Sequence, residues 1–264
     1  MTRRASWIFR SPVDPRALAA KMKADWDHRA QENARFYIAS DEWQSEEVFR
    51  ASGVRDAALL LRGLEGFFHP QMRALEIGCG IGRLLRVLVP RFAELHGVDV
   101  SGEMVRRGRE WLRDCPNVFL HETSGVDLSR FAKGWFDFVY SYITFQHIPT
   151  AIVASYCREV GRVLAPGGRF RFQVLSFERL DGSRSEPEPD DTFALRSVSD
   201  ADLEAMLDEA RLEPLTRFEI HAPDGYVPGY RGRQIWITCR HRPRLKPWWW
   251  RTTPPVEIEH RFRS

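Results

Sequence analysis

The stretch Ala74-Leu75-Glu76-Ile77-Gly78-Cys79-Gly80-Ile81-Gly82-Arg83 constrains the fold of this chain more than any other. An apolar run carrying one acid meets three glycines at alternate positions, and Leu84, Leu85, Val87 and Leu88 follow at helical spacing. The pattern predicts a strand, a tight turn and a helix. Glycine tolerates positive φ there and lets a ligand approach the backbone at a helix N-terminus. A dinucleotide fingerprint needs glycine at its first, third and sixth positions. Counted from Gly78 the sixth position is Arg83, so the turn is not a pyrophosphate fingerprint.

The surrounding chain fits an α/β fold. Strands are expected at 74–77, 94–100, 118–121, 136–141 and 169–175, with helices at 83–89, after Ser101 and at 150–163. Such alternation implies a parallel sheet with helices on both faces. Leu164-Ala165-Pro166-Gly167-Gly168 reads as a turn before the fifth strand. Ser199 caps a further helix, and two more strands are expected near 215–220 and 234–239. Residues 1–68 carry no strand signal. They read as a helical prefix, with a helix opening at Asp14-Pro15 and striped by Leu18, Met22 and Trp26. A second helix is expected from Asp41, and a third after Gly53 through Ala57, Leu60 and Leu61. The division is then 1–68 prefix, 69–241 main domain with a loop insertion at 176–198, and a tail at 242–264.

Composition excludes several classes. With 43% hydrophobic and 28% charged residues the chain is an ordinary globular one, and no apolar run approaches the length of a membrane span. Arg3 and Arg4 precede no apolar core, so no signal peptide is expected. Cys79, Cys115, Cys157 and Cys239 form no CxxC pair, which points to a reducing cytoplasm. The net charge of +3 conceals a split: residues 240–264 carry seven Lys/Arg against Glu257 and Glu259, leaving the rest slightly acidic. A nucleic-acid partner for the main domain is therefore not expected. The eight histidines lie apart with no HxH, HxxxH or HxxE grouping, so metal independence is expected.

The Glu-x-Gly-x-Gly-x-Gly stretch resembles the first motif of class I S-adenosylmethionine-dependent methyltransferases. Further features lie in family order: Asp99 ending the second strand, Ser124-Gly125-Val126-Asp127-Leu128 after the third, Phe136–Ser141 as the fourth, and Val160–Gly168 before the fifth. The resemblance covers roughly residues 70–240. It implies a Rossmann-like, seven-stranded, mostly parallel sheet with the last strand antiparallel and a helical N-terminal lid. It also implies S-adenosylmethionine as cofactor, S-adenosylhomocysteine as product, and a small metabolite or sugar-type acceptor methylated on O or N. A relative acting on protein or lipid, or a non-catalytic binder of the cofactor, would carry the same motifs.

The resemblance assigns roles. Glu76 or the Gly78 carbonyl meets the cofactor's amino group, Gly80 and Gly82 leave room for its methionyl part, and Cys79 packs beside it. Arg83 either helps with the carboxylate or is a solvated helix residue. Asp99 offers a carboxylate to two ribose hydroxyls, which a neutral residue holds less strongly. Val100, Met104, Ser124, Gly125 and Val126 are expected around the adenosyl part, with Ser141 and Tyr142 at the end of the fourth strand. His147 follows that strand, where relatives place a histidine; it serves either as a general base or as a loop support. Trp26, Asn33, Tyr37 and Gln146 are expected, with His147, around the acceptor, and Trp43 as part of the lid. Tyr140 is expected in the core. Trp248-Trp249-Trp250, flanked by cations, suits packing on the body, a second copy of the chain, or a peripheral membrane contact.

Overall fold

The computed structural model describes residues 15–39, 45–179, 191–221, 230–242 and 256–257. Five strands run parallel in the order β3-β2-β1-β4-β5: β1 (Arg73–Ile77), β2 (Glu94–Asp99), β3 (Val118–Glu122), β4 (Phe136–Ser141) and β5 (Leu164–Arg179). β6 (Leu212–His221) and β7 (Tyr230–His241) follow. β7 inserts antiparallel between β5 and β6, giving the expected six parallel strands and one antiparallel. An eighth, β8 (Val256–Glu257), was not foreseen; it pairs parallel with Thr216 and Arg217 of β6.

The helices are α1 (Pro15–Ala39), α2 (Glu46–Leu61), α3 (Arg83–Leu88), α4 (Gly102–Trp111), α5 (Thr150–Val163) and α6 (Asp200–Glu209). Side chains alternate across the strands and so feed two cores. Leu75, Ile77, Val139, Phe170 and Phe172 pack with α5 and α6, and with Leu18 and Met22 of α1. Ala74, Leu95, Phe138, Tyr140 and Trp236 pack with α2, α3 and α4.

Three expectations change. The helices expected from Asp41 and after Gly53 are one helix, α2, capped by Ser45, whose hydroxyl accepts from the Val48 N–H; residues 40–44 lie outside the described residues. Gly53 does not end it. The glycine lets α2 lie against α3, since a Cβ there would meet the Arg83 carbonyl oxygen at 3.0 Å. The glycine turn at 165–168 sits inside β5 as a bulge. Leu164 pairs with Phe136 and Arg169 with Phe138, so the residues between loop out around Gly167, which has φ 83°.

α1 is tied to the sheet from above. Asp27 Oδ1 accepts from the Ser101 hydroxyl at 2.7 Å and the Glu103 N–H at 3.0 Å, so a carboxylate from one helix caps another. Ser101 in turn accepts from the Met104 N–H. α1 breaks at Asn33 (φ −161°, ψ 86°), whose Oδ1 accepts from the Phe36 N–H and starts the last stretch of the helix afresh.

Candidate active site

β1 and β2 end side by side at the carboxyl edge of the sheet, and the glycine turn joins β1 to α3. Gly78, Gly80 and Gly82 all have positive φ, at 72°, 54° and 86°, so side chains here would be strained. The Gly80 N–H donates to Asp99 Oδ2 at 2.8 Å, and the Ser101 N–H to Asp99 Oδ1 at 2.9 Å. These contacts hold the half-buried carboxylate at the lip of a pocket.

Below the turn, Glu76 is 3% exposed, and Tyr140 donates its hydroxyl to Glu76 Oε2 at 3.1 Å. Burial pushes the Glu76 carboxyl up to about 8, against the opposing pull of that hydrogen bond and of the Arg83 charge. Arg83 is buried. Its Nη1 pairs with Asp56 Oδ2 at 2.6 Å and donates to the Ser52 hydroxyl at 3.1 Å, both on α2. Arg83 Nε has no partner and the residue lines the pocket. Cys79 lines it too, with a thiol that burial pushes up, so it is not an activated nucleophile.

The opposite wall comes from α1 and from the chain leaving β4. Trp26, Tyr37 and Ile38 face Tyr142, Ile143, Thr144 and His147. Ile143 has φ 55°, a costly conformation for a β-branched residue. The His147 ring lies parallel to Phe193 at 5.5 Å between centroids, and its Nδ1 is 2.8 Å from the Phe193 carbonyl oxygen. Phe193 also meets Trp26 and Tyr37, and the Arg29 guanidinium lies over the rings of both Trp26 and Phe193. Burial lowers the His147 pKa, and the Phe193 carbonyl partly offsets this.

Residues 74–168 match the family described as a methyltransferase domain. The chain carries a class I S-adenosylmethionine-dependent methyltransferase domain. The domain is similar to tocopherol O-methyltransferase of Arabidopsis thaliana, 32% identical over 150 residues, which are 54% of this chain and 39% of that protein. It is also similar to ubiquinone biosynthesis O-methyltransferase of Xanthomonas oryzae pv. oryzae, 31% identical over 39% of this chain and 43% of that one. The matched stretches span less than half of these relatives. In fold the chain resembles geranyl diphosphate C-methyltransferase of Streptomyces coelicolor, with a TM-score of 0.61 and 16% identity over 87% of this chain and 98% of that one.

The pocket gathers Glu76, Gly78, Cys79, Gly80, Arg83, Asp99, Val100, Met104, Gly125 and Tyr142 of the expected cofactor set, and Trp26, Tyr37 and His147 of the expected acceptor set. Six expected residues lie elsewhere. Gly82 faces Leu112, which fills the place of its missing Cβ. Ser124 is exposed and bonds to Asp127, while Val126 packs against the core. Ser141 is buried between strands, donating to the Ile77 carbonyl. Asn33 is exposed at the α1 break, its side chain spent on the Phe36 N–H. Gln146 does not line the pocket; its Nε2 lies 3.2 Å from His147 Nε2. Arg83 is not the solvated helix residue of one expectation, being buried and held by Asp56. Trp43 and Trp248–Trp250 lie outside the described residues.

Sequence reasoning missed Ile38, Thr144 and Tyr156 in the pocket wall, and the hydroxyl that Tyr140 sends from the core to Glu76. It also missed Gln173. A signal for that residue existed: Phe170-Arg171-Phe172-Gln173-Val174 puts a polar side chain at an inward position of a central strand. Among the described residues no three His, Cys, Asp or Glu side chains gather as a metal-ligand set, and no helix is long and apolar enough to cross a membrane.

Proposed function

We propose that this chain transfers the methyl group of S-adenosylmethionine to a hydroxyl on an aromatic ring of a small molecule. The observation that carries this reading is one pocket holding both an acidic, glycine-lined end and an aromatic end that contains a neutral histidine.

The residues fit the cofactor. Glu76 offers a buried carboxyl to an ammonium, and Arg83 Nε is an orphaned donor suited to a carboxylate. Asp99 stands at the end of β2, where it can accept from two vicinal hydroxyls, and Val100, Met104 and Gly125 supply apolar surface for a base. When bound, the sulfonium supplies an electrophilic methyl group. The protein's part is to hold the acceptor in line and to exclude water. His147 Nε2 takes the hydroxyl proton, while Trp26 and Tyr37 pack on the acceptor's ring.

The two relatives compared above are O-methyltransferases of tocopherol and of ubiquinone biosynthesis, which favours a phenolic acceptor over a sugar or an amine. A reducing cytoplasm suits the four unpaired thiols.

Calorimetry with S-adenosylmethionine and S-adenosylhomocysteine, followed by a labelled-methyl screen of phenols, amines, sugars, proteins and lipids, tests the reading. Turnover confined to phenols supports it. Absence of cofactor binding, or turnover only on another class, overturns it.

A further inference from the structure

A chain of four polar contacts runs from the backbone of β4's exit to the loop after β5. The Ile143 N–H donates to Gln173 Oε1 at 3.3 Å. Gln173 Nε2 donates to Gln146 Oε1 at 3.2 Å. Gln146 Nε2 lies 3.2 Å from His147 Nε2, and His147 Nδ1 lies 2.8 Å from the Phe193 carbonyl oxygen. Both ends are main-chain groups of fixed polarity, a donor at Ile143 and an acceptor at Phe193. That orders everything between them. Each amide must accept on the Ile143 side and donate on the histidine side, so His147 accepts at Nε2 and donates from Nδ1.

We propose that Gln173 and Gln146 are positioning residues that hold His147 as the Nδ1–H tautomer, with the Nε2 lone pair ready for the acceptor hydroxyl. This rests on the reading of His147 as the base. Free histidine prefers the opposite tautomer, so the protein must select this one. Gln173 is fully buried, which makes its two hydrogen bonds expensive to lose and the relay hard to reverse. The Gln146 contact is at the long end of hydrogen-bond distances, so an entering hydroxyl can take its place on Nε2. The charged groups facing the ring are Arg29 of α1 and Arg196 of the 191–198 segment, both cationic, and both also oppose a second proton.

The test is nitrogen NMR of the His147 imidazole in the full chain without acceptor, across a pH titration, for wild type, Gln173→Met and Gln146→Met. Wild type should show protonated Nδ1 and bare Nε2. Gln173→Met should give a mixture of tautomers, and both variants a raised His147 pKa. Once an acceptor is known, the acid limb of the kcat profile should move up with it while cofactor affinity stays unchanged. An Nε2–H tautomer in wild type overturns the relay even if no variant folds, as does a variant with unaltered tautomer and pKa. His147→Ala with unchanged kcat would instead overturn the base, so the two failures are distinct.

Discussion

The Tyr140 hydroxyl reaches Glu76 Oε2 at 3.1 Å beneath the glycine turn, where Tyr140 is fully buried and Glu76 nearly so. Glu76 rises from its ordinary 4.5 to about 8, so the resting protein holds it neutral at neutral pH. A cofactor ammonium arriving beside it must bring the carboxylate form back. Binding is therefore expected to release a proton, seen as heats that vary with buffer ionisation enthalpy at neutral pH. Buffer-independent heats would refute this. The same shift predicts falling stability of the cofactor-free protein as pH rises from 4.5 to 8, because only the unfolded chain then loses the proton. The slope is at most about 1.4 kcal/mol per pH unit, and Glu76→Gln should remove it.

Asp99 uses one oxygen on the Gly80 N–H and the other on the Ser101 N–H, so it shapes the turn as well as lining the pocket. Asp99→Asn keeps the size but loses the charge and one acceptor. Cofactor affinity should fall about 10- to 100-fold, the range of a charged hydrogen bond. An unchanged Kd in calorimetry would remove Asp99 from the site.

The Arg83–Asp56 pair joins the turn to α2 almost out of reach of solvent. Asp56→Ala leaves a buried cation with only the Ser52 hydroxyl, and should cost about 3–5 kcal/mol in denaturant unfolding. The double variant Asp56→Ala, Arg83→Met should recover much of that loss while still binding the cofactor more weakly. Equal destabilisation of single and double variants would show that the pair's charge is not what matters.

On the far strands, His96 Nδ1 lies 3.1 Å from His121 Nε2, with the rings nearly parallel. Burial, together with the Arg130 charge and the neighbouring histidine, lowers His121 from 6.5 to about 4. The unfolded chain takes up the proton first, so stability should fall as pH drops from 6.5 towards 4, opposite in sign to the Glu76 effect. His121→Gln should flatten the acid limb of a Tm-against-pH curve. An unaltered limb would mean that other groups carry it.

Strand positions, the helices after Ser101 and Ser199, and the glycine turn were legible because each rests on local pattern: alternating apolar runs, serine caps, and positive φ at glycine. The acidic end of the pocket was legible for the same reason, since Glu76 and Asp99 stand at strand ends. What escaped depends on contacts between distant residues. Nothing near Arg83 in sequence announces Asp56, and Asn33 looks like any polar helix residue until the helix breaks there. Ser141 and Val126 occupy family positions, yet local side-chain direction turns them into the packing. The Gln173–Gln146–His147 line draws on the interior of β5, the exit of β4 and a loop, and no spacing rule covers that.

The break at Asn33 gives the pocket's roof a seam. Before it, α1 is riveted to α4 through Asp27; after it, Ile38 stands over Gly80 so closely that a Cβ there would lie 2.7 Å from its Cδ1. The helical hydrogen-bond ladder is interrupted between those two halves. The two halves are held by different contacts: Asp27 on α4 before the break, and Arg35–Glu46, Tyr37–Phe193 and the packing of Ala34 and Ile38 after it. Opening residues 34–39 therefore bares the glycine turn only by parting Tyr37 from Phe193, the ring that also packs on Trp26 and His147, while the Asp27 clamp stays in place.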